Sequence, residues 1–302
     1  MKHLPQFGHL KKQNMAWPFL REIAQLMRLN RPYGTLLLLF PTLWSLFIAS
    51  AGHPTVKHLI VFILGSFLMR SAGCVMNDMA DYQFDAQVER TKDRPLAKGT
   101  LTRKEAFLVL SALLTCSFLL VLMLNLLTIA LSFTALFIAT LYPFAKRFTH
   151  FAQAVLGIAF SFGILMAWTS AMGELTWVPI LILMANVFWA CGYDTIYAMM
   201  DMEDDIKIGV KSTAVFFGSK SGLAIGLFFA LVILFLFLVG RETNMGSPYY
   251  LALAATTVAF SYQTVLLCKP LAKERLFPLF KGHVFVGGVI LVGIIFNYYL
   301  KV

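Results

Sequence analysis

Apolar residues in this chain fill long blocks in which nearly every position is hydrophobic, with neither the period-two alternation of a half-buried strand nor the single stripe of a surface helix. The blocks run over approximately 33–51, 57–79, 106–124, 126–145, 150–172, 176–200, 221–240, 248–268 and 283–300. At about 1.5 Å of rise per helical residue, each is long enough for roughly 30 Å of hydrocarbon. Ala106 to Ala145 carries no charge and is too long for one span, so the pattern predicts a tight hairpin near Asn125. Nine helices follow. Ahead of them, Asn14–Asn30 places Trp17, Phe19, Leu20, Ile23, Leu26 and Met27 between charges, which predicts a helix lying in the membrane interface. The expected fold is an all-α polytopic membrane protein. It comprises a cytoplasmic amphipathic segment (1–32) and a single nine-helix transmembrane domain (33–302).

Composition strengthens this reading. Hydrophobic residues make up 59% of the 302 positions and charged residues 13%, against roughly 45–50% and about 25% in soluble domains. Disorder, collagen and disulfide scaffolds are excluded. Cys74, Cys116, Cys191 and Cys268 lie far apart with no metal-ligand spacing and read as reduced, packed thiols.

The formal charge of +10 gains meaning from its distribution. Twenty-one of the 25 Lys and Arg residues fall in the leader and in alternate connections, whereas the opposite connections and terminus hold only Lys57, Arg241 and Lys301, and Arg70 sits within a span. By the positive-inside rule the N-terminus is cytoplasmic and, after nine crossings, the C-terminus is outside. The excess cation therefore reports topology and anionic headgroups, and no nucleic-acid partner is expected. No secretory signal precedes the first span. Met1–Arg31 contains Glu22 and no serine, unlike a transit peptide, which favours a bacterial inner membrane.

Ten of the fifteen acids fall in two clusters, both on the basic side. The first follows the second span: Asp78, Asp81, Asp85, Glu89 and Asp93. The second closes the sixth: Asp194, Asp201, Glu203, Asp204 and Asp205. If the second helix continues, Asn77, Asp78, Asp81 and Asp85 share one face, and continued helix would likewise align Asp194, Tyr197, Asp201, Asp204 and Asp205. One Asp at the centre of a membrane helix costs about 2.5–3.5 kcal/mol, so several need a cationic partner. Clustered carboxylates suit Mg²⁺, a hard ion held by one or two carboxylates and by substrate phosphates. Arg70 and the run Glu89–Lys98 flank the first set, and Lys207 and Lys211 follow the second, which equips one pocket for a diphosphate leaving group. No Walker loop, dinucleotide fingerprint or Ser-His-Asp set is visible. The six histidines read as bystanders in the leader, in loops or at span ends.

The motifs N-D-x-x-D-x-x-x-D (from Asn77) and Y-D-x-x-Y-A-x-x-D-x-x-D-D-x-x-x-G-V-K-S-T (from Tyr193) resemble those of the intramembrane aromatic prenyltransferases, the UbiA superfamily. The opening Arg28–Trp44, the loop R-T-K-D-R-P-L-A-K-G and the segment Tyr142–Arg147 look like the branch that prenylates 4-hydroxybenzoate in ubiquinone biosynthesis; Asn30 and Met202 depart from its usual pattern. The resemblance implies a central cavity, two Mg²⁺ ions, a polyprenyl diphosphate and 4-hydroxybenzoate as substrates, membrane lipids as surroundings, and no obligate protein partner. It further implies metal ligation by Asp78, Asp81, Asp85, Asp201, Asp204 and Asp205, with Asn77 completing the first set. Asp194 is a candidate to orient or deprotonate the phenol. Arg70, Arg94, Lys98 and Lys211 are candidates for diphosphate oxygens, and Arg31, Lys146 or Arg147 for the aromatic carboxylate. Tyr142 and Tyr197 are candidates to stack on the arene or stabilise a cation.

Two rival readings differ in what they require. Another branch of the superfamily would use dihydroxynaphthoate or a different arene. A divalent-cation transporter would distribute polar residues through the membrane depth or show inverted repeats, whereas here the acids crowd at one face.

Overall fold

A computed structural model describes residues 16–300. Helices occupy all nine apolar blocks. They are α2 (Tyr33–Ala49), α3 (Val56–Asp85), α5 (Arg103–Val121), α6 (Leu126–Phe148), α7 (Ala152–Met172), α8 (Trp177–Ala198), α11 (Ser221–Glu242), α12 (Ser247–Leu267) and α13 (Lys273–Tyr299). Four shorter α-helices, α1 (Ala16–Leu26), α4 (Pro95–Lys98), α9 (Met202–Ile208) and α10 (Thr213–Phe217), and a 3-10 turn over Gly218–Lys220 complete the order. Eight of the long helical segments are long and apolar enough to cross a membrane, and α2 is apolar but 17 residues long.

Polar residues set the boundaries. The predicted hairpin falls where Asn125 caps α6, its Oδ1 accepting from the Thr128 amide at 2.9 Å and its Nδ2 donating to the Thr169 carbonyl on α7. Thr102 and Glu105 form a reciprocal capping box at the start of α5. Helix α3 runs without interruption through the first acidic motif to Asp85.

The larger core joins α2, α7, α8, α11, α12 and α13. Trp44 of α2 stacks on Trp189 of α8 at 5.3 Å and donates from Nε1 to the Gly287 carbonyl of α13 at 3.0 Å, so three helices meet at one indole pair. A smaller core joins α1, α3, α4 and α5 through Leu26, Val75, Leu96 and Leu113. Helix α1 thus seats part of its apolar face on protein, with Leu26 fully buried. Positions 14 and 15 of the expected interfacial helix lie outside the described residues.

Three expectations are corrected. The second acidic motif is not one continuous helix: after Ala198 the amides of Met200 and Asp201 bond carbonyls three residues back, and α9 starts afresh at Asp201. The acids Glu203, Asp204 and Asp205 occupy the first turn of α9, where the helix dipole favours negative charge. The last span begins at Lys273, so His283 lies well inside α13, fully buried, with Nδ1 accepting from Trp189 Nε1 at 2.9 Å. All four cysteines are free, but only Cys74 and Cys191 are buried; Cys116 and Cys268 are exposed.

Candidate active site

The break between α8 and α9 turns Asp201 toward α3. Between them lies a polar cavity of about 220 Å³. The link after α1 gives it Arg28 and Arg31, α3 gives Arg70, Asn77 and Asp78, and the segment between α3 and α4 gives Arg90 and Arg94. Tyr142 of α6, Gln153 of α7, and Tyr193, Asp194 and Tyr197 of α8 form the opposite wall, with Asp201, Asp205 and Lys211 beyond them.

Arginines engage the acids. Arg28 reaches both oxygens of Asp78 at 2.8 and 2.9 Å, and Arg94 bridges Asp78 at 3.1 Å and Asp85 at 2.7 Å. Arg90 donates from Nε to Asp201 at 2.8 Å, bonds the Tyr197 hydroxyl, and lies 4.6 Å over the Tyr197 ring. Burial works to lower the pKa of Arg90 and of Arg94, but the facing carboxylates outweigh it and hold both guanidiniums above their ordinary value. Arg28 adopts a left-handed backbone (φ 57°) in the position after α1 that glycine usually fills. The Leu29 amide bonds Ala24 and the Arg28 amide bonds Gln25, closing the helix end and aiming the side chain at Asp78.

Arg70 differs. It is one of the lining residues, donates to Cys74 Sγ at 3.0 Å, sits 5.9 Å from the Phe160 ring, and forms no ion pair among the described residues. Gly34 of α2 makes room for it, since a Cβ there would lie 2.5 Å from Arg70 Nε.

A second cavity of about 210 Å³ continues from the first and shares Arg70, Gly73, Tyr142, Leu156 and Phe160 with it. Its other walls are almost wholly apolar, from Leu38 of α2, Phe62 and Met69 of α3, Phe118 and Leu124 at the α5 end, Phe133 and Leu136 of α6, and Phe162 and Met166 of α7. Charge and apolar surface are therefore segregated end to end, with Arg70 at the junction.

Residues 38–286 match the UbiA prenyltransferase family. The chain belongs to that family. It is 46% identical over 275 residues, 91% of this chain and 96% of the relative, to a 4-hydroxybenzoate octaprenyltransferase of Vibrio campbellii. A UbiA homologue from Aeropyrum pernix K1 in its apo form has the same fold, with a TM-score of 0.76 at 24% identity over 86% of this chain and 97% of that one. A UbiA homologue from Archaeoglobus fulgidus bound to GPP and Mg²⁺ superposes with a TM-score of 0.62 at 19% identity, covering 89% and 99% of the two chains. With eight long apolar helices among the described residues, this UbiA-family chain is a multi-pass membrane protein.

Within this UbiA fold, eleven of the residues singled out by sequence line the polar cavity: Arg31, Arg70, Asn77, Asp78, Arg94, Tyr142, Asp194, Tyr197, Asp201, Asp205 and Lys211. The others lie elsewhere. Asp81 and Asp85 are buried further along α3, outside the lining, and Asp85 is held by Arg94. Asp204 faces Lys207 at 3.4 Å, and Lys98 ends α4 away from the cavity. Arg147 donates to the Ala80 carbonyl at 2.8 Å and packs over the Phe84 and Phe144 rings, so it binds the ends of α3 and α6 together. The Lys146 side chain lies outside the described residues. Among the described residues no three acidic, histidine or cysteine side chains converge on one point, because guanidinium groups stand between the acids.

Sequence reasoning did not single out Arg28, Arg90 or Tyr193. Arg28 and Arg90 are visible only as members of basic runs, and their acids lie 50 and 111 positions away. The donor set itself fits Mg²⁺. Asp78, Asp194, Asp201 and Asp205, with the Asn77 amide, offer hard oxygens on facing walls of one chamber, with room between them for phosphate oxygens.

Proposed function

We propose that the chain transfers a polyprenyl group from polyprenyl diphosphate to the ring carbon ortho to the phenol of 4-hydroxybenzoate, releasing diphosphate, in ubiquinone biosynthesis. The supporting observation is the join of a charged cavity to an apolar one at Arg70. A polyprenyl diphosphate has the same polarity, with an anionic head and a hydrocarbon tail, and the 46% identity to a 4-hydroxybenzoate octaprenyltransferase supports the acceptor.

Asp78 with Asn77 on one wall, and Asp201 with Asp205 on the other, would hold Mg²⁺. Bound there, it would supply Lewis-acid stabilisation of the charge that grows on the diphosphate. Arg28, Arg90 and Arg94 already hold the acids Asp78 and Asp201. On substrate binding they exchange those carboxylates for diphosphate oxygens, which keeps every buried charge paired. As the allylic C–O bond breaks, the faces of Tyr142 and Tyr197 meet the developing cation. Apolar walls from α3, α5, α6 and α7 exclude water that would quench it. Arg70, half-buried and without an acid partner among the described residues, receives the carboxylate of the acceptor on its planar fork. Asp194 accepts the proton, from the phenol or from the attacked carbon. This assigns Arg70 to the aromatic acid in place of Arg147, which donates to the Ala80 carbonyl and lies outside the cavity lining.

The basic segments that frame the cavity support a mouth on the cytoplasmic face of a bacterial inner membrane, with the N-terminus on the same side. Nine crossings and a single domain over 33–302 complete the reading. A transporter needs a polar path across the bilayer, and beyond Arg70 the cavity walls are apolar.

The test is Mg²⁺-dependent transfer of a labelled polyprenyl group to 4-hydroxybenzoate by purified protein in lipid, with EDTA, Asp78→Asn and Asp201→Asn as controls. Transfer abolished by each control is expected. Transfer only to dihydroxynaphthoate or another arene would move the chain to another branch. Cation flux in liposomes without transfer would replace the enzyme reading.

A further inference from the structure

Tyr193 stands next to Asp194 on α8. It is 2% exposed, lines the polar cavity, and its hydroxyl is buried without a hydrogen-bond partner among the described residues. A buried phenol hydroxyl is costly to leave unpaired, so one carried by a residue that lines a cavity is a natural contact for what fills that cavity.

Its ring is fixed on three sides. Trp189 meets it edge-on at 5.5 Å, Phe280 at 5.9 Å and His283 at 5.8 Å. Trp189 is itself held by its bond to His283 and by stacking on Trp44. The hydroxyl is thus placed before any ligand arrives, and a preorganised donor loses little on binding. Arg70 and Tyr142 line the same cavity as Tyr193. The Tyr193 hydroxyl, without a partner among the described residues, and the Arg70 guanidinium, whose described hydrogen bond goes to the weak acceptor Cys74 Sγ, therefore belong to one chamber, and Arg70 stands where the charged cavity meets the apolar one.

We propose that the Tyr193 hydroxyl donates to one oxygen of the acceptor's carboxylate while Arg70 holds the other, so that the pair selects an aromatic acid over neutral phenols. This rests on the prenyl-transfer reading above and adds a specificity-determining residue to it. Adjacent residues on a helix project about 100° apart, so Tyr193 and Asp194 address different parts of the ligand. In a para-hydroxy acid the carboxylate and the phenol are at opposite ends of the ring. Tyr193 with Arg70 reads one end and Asp194 the other.

The experiment is equilibrium binding of 4-hydroxybenzoate, of its methyl ester and of geranyl diphosphate with Mg²⁺, to wild-type protein and to Tyr193→Phe in lipid nanodiscs. Loss of a hydrogen bond to a charged group predicts acid binding weakened about 10- to 100-fold in Tyr193→Phe, with geranyl diphosphate affinity within about twofold of wild type. The wild type should bind the methyl ester at least about tenfold more weakly than the acid, and Tyr193→Phe should narrow that ratio. The ester comparison on wild-type protein stands even if the variant folds poorly. Unchanged acid affinity in folded Tyr193→Phe, equal losses for acid and diphosphate, or equal wild-type affinity for acid and ester overturns the assignment while leaving prenyl transfer intact. A wild-type protein that binds geranyl diphosphate but no aromatic acid overturns both.

Discussion

Arg90, on the segment between α3 and α4, donates from Nε to both carboxylate oxygens of Asp201 at 2.8 and 3.1 Å, across the mouth of the polar cavity and 111 positions along the chain. The guanidinium occupies the place where Asp201 would meet a metal-bound diphosphate. If the two exchange partners on binding, Arg90→Ala has opposite effects on the two ligands. Mg²⁺ alone binds more tightly, because Asp201 is released. The KM for polyprenyl diphosphate rises about 10- to 100-fold, because a charged donor is lost. Titration with Mn²⁺ as a spectroscopic surrogate, beside steady-state kinetics, measures both.

Arg28 combines a left-handed backbone with an ion pair to Asp78. Arg28→Gly relieves the backbone strain, roughly 1 kcal/mol for a non-glycine residue, and removes the pair. The expected variant melts within a few degrees of wild type and loses transfer by about tenfold or more. A thermal melt in detergent and an activity assay on the same preparation separate the two effects.

Gly34 is the space into which Arg70 folds. Gly34→Ala places a methyl carbon against the guanidinium itself, which moves because it is the end of a side chain and not backbone. If the displaced group serves the acceptor, as proposed, the KM for 4-hydroxybenzoate rises by about tenfold, with the KM for the diphosphate little changed. Equal effects on both substrates would show that Arg70 serves the diphosphate instead.

Arg94 and Arg147 flank opposite sides of the same acidic motif with different duties. Arg94→Ala uncovers Asp78 and Asp85 together and should cost about 100-fold in transfer. Arg147→Ala removes a surface contact between α3 and α6 and should keep transfer within about threefold. Parallel assays of the two variants test the placement of the cavity wall.

Gly222 brings α11 against the end of α12, where a Cβ would lie 2.6 Å from the Leu267 carbonyl oxygen. Backbone cannot yield as a side chain does, so Gly222→Ala should destabilise by about 1–3 kcal/mol. The readout is a lowered melting temperature, with KM values retained in the folded fraction.

Much of this was legible in the chain itself. Hydropathy fixes where helices form because a span must satisfy its backbone internally over the bilayer's thickness, and each expected block is helical in the structure. The Asn77–Asp85 spacing was readable for the same reason, since α3 simply continues through it. Helical spacing failed for Asp201–Asp205 because the chain changes direction at Met199–Asp201, and no proline or glycine in that turn announces it. His283 appeared to be a terminal residue because the charges and the proline before it, Lys273 to Lys281, looked like loop, yet α13 includes them.

The sequence by itself therefore determined the membrane class, the span positions, the two acidic motifs and their family, all of which depend on residues within a few turns of one another. Only the tertiary structure decided which arginine faces which acid, that Asp204 and Arg147 stand outside the cavity, and that Arg70 and Tyr193 line it together. Those relationships join helices distant along the chain, and their geometry is set by how the α2, α3, α7 and α8 surfaces pack, which no local pattern encodes.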